Sequence, residues 1–127
     1  MCPYQKLKGS IPQGIMDWNL FSGILDDFSS NGGHTITFNN FSEIFAIPQG
    51  IDYVLKAVTN TNLRVYLVSN GVFFTPEVTD ALIERGFRGT VYVSCHAFSE
   101  ETFQRVTGRA NFLTVKNNIS YLAQRHP

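Results

Sequence analysis

Apolar residues recur at helical spacing in three stretches of the chain. The first set follows Asp17, a good N-cap residue, and stands at i, i+3, i+4 and i+7: Phe21, Ile24, Leu25 and Phe28. The same spacing returns over residues 51–58 and over residues 112–122, where Asn111 takes the N-cap position. The pattern predicts three amphipathic helices, and it places the four residues of the first set on a buried face.

Capping residues predict two more helices. Thr75-Pro76-Glu77 combines a cap, a proline at the first helical position and an acid in the first turn, and Gly86 ends that helix. Ser99-Glu100-Glu101 opens a shorter helix that Gly108 closes. These start and stop signals therefore place a helix on each side of the third strand described next.

Three short β-branched runs lie between the helices and predict strands over residues 34–38, 63–68 and 90–93. Successive strands begin 29 and 27 residues apart, which is the length of a βα unit. Alternating elements of this size predict an α/β domain over residues 1–127, with a parallel sheet covered by helices. Because three strands leave two sheet edges uncovered, the chain is expected to be part of a larger barrel or sheet.

The amino-acid composition limits which partners and which cellular location are expected. Ten basic residues balance ten acidic residues, so no net charge attracts nucleic acid or an anionic membrane. The two cysteines are too few for a disulfide framework, and the chain shows no secretory leader, so a cytoplasmic location is expected. Asn118-Ile119-Ser120 matches a glycosylation sequon, which we interpret as chance in such a chain.

Polar residues follow each predicted strand: Phe41-Ser42-Glu43, Ser69-Asn70-Gly71 and Ser94-Cys95-His96. The carboxyl ends of parallel strands share one face, so these residues are expected to converge on one site. A solvated loop glutamate and an ordinary Asn-Gly turn are the alternatives for the first two groups.

The ordered set of motifs resembles the radical S-adenosylmethionine (radical SAM) enzymes, and in particular their SPASM-type members. The set comprises Cys2-Pro3-Tyr4, an acidic loop after a strand, Ser69-Asn70-Gly71, a strand ending in Val93-Ser94, and the helix region that begins with residues 106–112. The resemblance covers nearly the whole chain. It implies a partial TIM-like barrel, of which this chain carries the second to fourth βα units, with three strands and about four helices.

The resemblance also implies cofactors and partners. The family motif C-x3-C-x2-C holds a [4Fe-4S] cluster, and Cys2 matches its final cysteine, so the chain looks like a fragment that starts there. The complete enzyme would cleave S-adenosylmethionine reductively and use the 5′-deoxyadenosyl radical to abstract hydrogen from an unidentified substrate. It would need the rest of the barrel and an electron donor such as a flavodoxin or ferredoxin. This chain alone is expected to be inactive.

Site roles follow from the same resemblance. Ser42 and Glu43 stand where the family has Gly-Gly-Glu-Pro, which receives the methionine ammonium; a Gly and the Pro are absent here. Ser69 and Asn70 match a segment near the cofactor.

Three further residues match positions near the cofactor. Ser94 and His96 match groups near the ribose, and Arg109 matches an arginine that can meet the cofactor carboxylate. Each has a plain alternative: a serine bonded to its own backbone, a loop histidine and a surface arginine. Cys95 is expected to face the helix layer as a small core residue.

Two other functions stay open at this point. The chain could be a cluster-free α/β module that binds a nucleotide or phosphate at the same face. No loop matches a Gly-rich phosphate cradle, because Asn31-Gly32-Gly33 precedes a strand where a cradle would precede a helix. The chain could also be a degenerate, non-catalytic relative of the radical SAM enzymes.

Overall fold

The protein is an α/β domain with a three-stranded parallel sheet. The computed structural model describes residues 9–10, 14–39, 43–59 and 62–126. Its elements are, in chain order, α1 (Trp18–Ser30), β1 (Thr35–Phe38), a 3-10 helix (Ile44–Ala46), α2 (Gly50–Thr59), β2 (Arg64–Ser69), α3 (Pro76–Glu84), β3 (Thr90–Val93), α4 (Glu100–Thr107) and α5 (Phe112–Arg125). None of the helices in these ranges is long and apolar enough to cross a membrane.

The three predicted strands and their βα order are confirmed. The strands pair in parallel in the order β1-β2-β3, with Ile36 opposite Val65 and Leu67 opposite Val91. A sheet order that follows the chain order is the connectivity of a partial α/β barrel. The described ranges hold the five α-helices that the periodicity and caps predict, one more than the about four that the resemblance implies. Gly108 ends α4 in a left-handed conformation, with φ at 74°, as predicted.

The hydrophobic core lies on one face of the sheet. Along β2, Val65, Leu67 and Ser69 are buried, whereas the alternate residues are more exposed. The buried residues pack with the inward side chains of α1, α2 and α3. On the opposite face Tyr66 and Tyr92 stack with ring centroids 6.0 Å apart. Strands covered by helices on both faces read as continuous apolar runs, so this alternation marks a sheet built for helices on one face.

Helix α1 buries less than its sequence pattern predicts. Phe21 and Leu25 are buried, but Ile24 is 51% exposed and Phe28 is 43% exposed. Leu20, one turn before Ile24, is also exposed. The prediction that all four apolar residues share a buried face is therefore wrong for two of them. The reason is that α1 flanks β1, an edge strand, so only one side of the helix has a neighbour among the described residues.

Most predicted helix caps are confirmed. Asp17 accepts hydrogen bonds from the N–H groups of Asn19 and Leu20 at 2.9 and 3.0 Å, and Thr75 caps α3. Asn111 occupies the N-cap position of α5, but its side chain makes no capping bond. The carboxylate of Glu100 accepts the hydrogen bond of the first helical N–H instead, at 3.1 Å. A residue twelve positions before Phe112 therefore satisfies part of this helix start.

Asp80 joins α3 to α5, and we expect this link to weaken at acid pH. Its carboxylate accepts hydrogen bonds from the Tyr121 hydroxyl and from Arg125 Nε, each at 2.8 Å. These two bonds lower the pKa of Asp80 below its usual value. The stability from the link is therefore full above the unfolded pKa of about 3.9 and is lost as pH falls through the lower folded value.

Urea unfolding between pH 2 and pH 7 tests this link. Asp80→Asn should remove the acid-dependent part of the stability that the link provides. Glu84→Gln is the control, since Glu84 is an exposed acid on the same helix. Equal acid dependence of the free energy of unfolding in the wild type and in Asp80→Asn would contradict the expected role.

Candidate functional site

The carboxyl ends of the strands bring Glu43 to the loop that follows β2. Glu43 comes after β1 and directly precedes the 3-10 helix, while Ser69 is the last residue of β2. The Asn70 N–H donates to Glu43 Oε2 at 2.9 Å, and the Ser69 hydroxyl donates to the same oxygen at 3.1 Å. The predicted convergence is therefore present between these two strand ends.

The second carboxylate oxygen of Glu43 has no hydrogen-bond partner among the described residues. Oε1 is buried and accepts no hydrogen bond from any residue in the described part of the chain. Leaving a buried acceptor unsatisfied costs roughly 1–3 kcal/mol, and more for a charged group. The interpretation of Glu43 as a solvated loop residue does not fit this burial. One oxygen of the carboxylate is thus held by the loop after β2, and the other is buried without a described donor.

The loop after β2 satisfies its own N–H groups with side chains. The Gly71 N–H donates to Ser69 Oγ at 3.0 Å, and the Val72 N–H donates to Asn70 Oδ1 at 2.9 Å. Gly71 has φ at 79°, and a Cβ there would lie 2.9 Å from a methyl of Val93 and 3.0 Å from a methyl of Val115. Only glycine fits this combination of positive φ and close packing.

Asn118 holds this loop from helix α5, a role that sequence analysis missed. Its side chain is buried, and Nδ2 donates to the carbonyl oxygens of Gly71 and Val72 at 2.8 and 3.2 Å. The only sequence signal was a polar residue among the apolar positions of α5. Because this amide is buried and bonded, the structure agrees with interpreting its sequon as chance.

The third strand end contributes less to the cluster. Ser94 lies next to the loop after β2, because its N–H donates to the Ser69 carbonyl at 2.8 Å. His96 is exposed and makes no side-chain hydrogen bond within the described residues. Cys95 packs against the core of Ala97, Phe103 and Val115 and donates to the Ala97 carbonyl at 3.3 Å, as predicted for a core thiol.

Arg109 stands apart from the Glu43 cluster. It is exposed in the turn between α4 and α5, where its N–H donates to Thr107 Oγ1 at 3.2 Å. Its guanidinium makes no hydrogen bond or ion pair with any described residue. The structure therefore does not join Arg109 to Glu43, Ser69 or Asn70.

Two predicted site residues, Ser42 and Cys2, lie outside the described residues. Within the described ranges no three side chains of His, Cys, Asp or Glu are grouped so that they could hold a metal ion. The whole sequence has two cysteines. The three thiolates of a [4Fe-4S] site can therefore not come from this chain alone.

A separate groove of about 480 Å³ lies on the helical side of the protein. Trp18 and Tyr53 line it, together with the ion pair of Arg85 with Asp52 at 3.1 Å. None of the strand-end residues contributes to it. The three charged residues that line it are already in ion pairs, Arg85 with Asp52 and Lys56 with Asp26. We therefore place the candidate chemistry at Glu43 and not in this groove.

Comparison with known proteins adds one relative. Uncharacterized protein MJ0804 of Methanocaldococcus jannaschii is 28% identical over 85 residues, which are 67% of this chain and 29% of the relative. The chain thus spans less than a third of that relative's length. No family model matches the chain. No solved structure matches it either.

Proposed function

We propose that this chain is a segment of a radical SAM enzyme and that Glu43 binds the ammonium group of S-adenosylmethionine. One observation carries the proposal. At the carboxyl ends of the parallel strands, beside Ser69 and Asn70, Glu43 has a buried oxygen that accepts no hydrogen bond from a described residue. The family resemblance assigns the methionine ammonium to the acid at this position.

The chemistry of the site favours a cationic donor. Both described donors near the carboxylate, the Ser69 hydroxyl and the Asn70 N–H, are used on Oε2. A ligand ammonium can supply the missing hydrogen bonds to Oε1 together with a compensating charge, which makes a charge-assisted bond. A phosphate would instead be repelled by this carboxylate. The alternative of a phosphate-binding module is therefore disfavoured at this face.

The iron–sulfur cluster does not fit this chain by itself. Its two cysteines are fewer than the three thiolates required, and Cys95 is partly buried against a core cluster. We therefore assign to this chain the binding of S-adenosylmethionine and one thiolate ligand, Cys2. The remaining ligands and the contact with a flavodoxin or ferredoxin would belong to a longer cytoplasmic polypeptide.

Two exposed features support a larger barrel. The outer edges of β1 and β3 are unpaired within the described residues. Leu20, Ile24 and Phe28 form an exposed apolar stripe on α1, with Leu20 57% exposed. In a βα array each helix covers both strands that it connects. A strand preceding α1 would pair with β1 and cover this stripe. The substrate remains unassigned.

Nuclear magnetic resonance tests the proposal at the Asn70 amide. S-Adenosylmethionine should shift this resonance, because its ammonium would bind the carboxylate that accepts the Asn70 hydrogen bond. 5′-Methylthioadenosine, which lacks the amino-acid part, should leave the resonance in place. Equal shifts with both compounds, or no shift with either at millimolar concentration, would overturn the proposal.

A further inference from the structure

We infer that Asn118 is a positioning residue for the Glu43 site, acting through the loop of residues 69–72. The side-chain amide of Asn118 donates to the carbonyl oxygens of Gly71 and Val72. The same loop presents the Ser69 hydroxyl and the Asn70 N–H to Glu43. A residue far along the chain therefore fixes the two donors that orient the carboxylate. The inference does not depend on which ligand the carboxylate binds.

The hydrogen bonds within the loop of residues 69–72 use only its N–H groups. Its carbonyl groups therefore need a partner from another segment. Gly71 donates to Ser69 Oγ, and Val72 donates to Asn70 Oδ1. The carbonyl oxygens of Gly71 and Val72 take no part in these bonds and accept from Asn118. Buried carbonyl groups require a partner, and an amide NH₂ has two hydrogens with which to serve both.

Helix α5 is held in position on both sides of Asn118. Val115, one turn before Asn118, is fully buried, and one of its methyl groups would lie 3.0 Å from a Cβ on Gly71. Tyr121 and Arg125, on the following turns, bond to Asp80 of α3. Asn118 thus lies on α5 between the apolar contact of Val115 and the hydrogen bonds of Tyr121 and Arg125. Because α5 is fixed against α3, the Asn118 side chain is held at the loop after β2.

Close packing also limits how far the loop of residues 69–72 can move if the Asn118 hydrogen bonds are lost. A Cβ on Gly71 would come within 3.0 Å of side-chain atoms of Val93 and Val115. The loop therefore lies close against β3 and α5. If the Asn118 amide is removed, the two carbonyl groups must find water, and the backbone of residues 70–72 must turn to reach it.

Hydrogen exchange of the ligand-free protein tests the inference. Asn118→Ala should speed amide exchange at Asn70 and Gly71 by about tenfold, the effect of losing roughly one hydrogen bond. The amides of residues 65–68 in β2 should keep their protection. Asn117→Ala is the matched control, since Asn117 is exposed on the same helix. It should leave Asn70 unchanged.

A second variant covers the possibility that the alanine variant does not fold. Asn118→Ser leaves a polar group and room for a bridging water, so it should show the same selective effect in weaker form. Unchanged exchange at Asn70, or a uniform increase along β2, would overturn the inference. Failure of both variants to fold would also overturn it, because Asn118 would then serve the fold and not the site. Since no ligand is present, the result is independent of the S-adenosylmethionine test.

Discussion

Glu43→Gln is expected to weaken binding of S-adenosylmethionine by about tenfold to a hundredfold, the range for losing a charge-assisted hydrogen bond. Glutamine keeps an oxygen that can accept from the Asn70 N–H, so the loop should stay in place. What is lost is the negative charge of the carboxylate. Titration calorimetry, or the Asn70 amide shift as a function of ligand concentration, measures the change in affinity.

Glu101→Gln is the control for the Glu43 experiment. Glu101 is an exposed acid in the first turn of α4, so the substitution makes the same change in net charge at a distance from the site. It should leave the affinity unchanged. If both variants lose affinity equally, a general electrostatic attraction explains the binding, and Glu43 has no specific role.

Leu67→Ala is expected to lower the free energy of unfolding by about 2–5 kcal/mol. Leu67 lies in the central strand and is completely buried against the helix layer. Truncation leaves a cavity that neighbouring side chains on the strands and helices can fill only in part. Urea denaturation with an unchanged m-value measures the loss.

Val68→Ala provides the matched comparison in the same strand. Val68 points to the opposite face of β2 and is only partly buried. Its truncation should cost under about 1 kcal/mol, as for substitutions outside a packed core. A loss equal to that of Leu67→Ala would mean that the second face is also packed, and the one-sided core would be wrong.

Local features of the fold were predictable from the sequence. Asp17, Thr75, Gly86 and Gly108 mark helix ends because their effects involve backbone groups only a few residues away. The strands were predictable because a short β-branched run that lies between two helix signals favours a strand over other secondary structure. The grouping of polar residues at strand ends followed from the parallel order alone.

Contacts between distant segments were not predictable in this way. Asn118 and Gly71 are 47 positions apart, and nothing in the pattern of α5 indicates which loop the amide meets. The exposure of Ile24 was missed because a helical pattern shows that a face is apolar and not what covers it. Arg109 was grouped with the site by the family resemblance, but its side chain makes no hydrogen bond or ion pair with any described residue.

The sequence by itself determined the α/β class, the strand order and the placement of Glu43 at a strand end, because each follows from local periodicity and short connections. Only the tertiary structure decided which oxygen of Glu43 accepts hydrogen bonds from described residues and which does not. That outcome depends on the Ser69 hydroxyl, 26 positions away, and on the helix that holds the loop. Hydrogen bonds need positions accurate to a few tenths of an ångström, and packing between distant segments sets them.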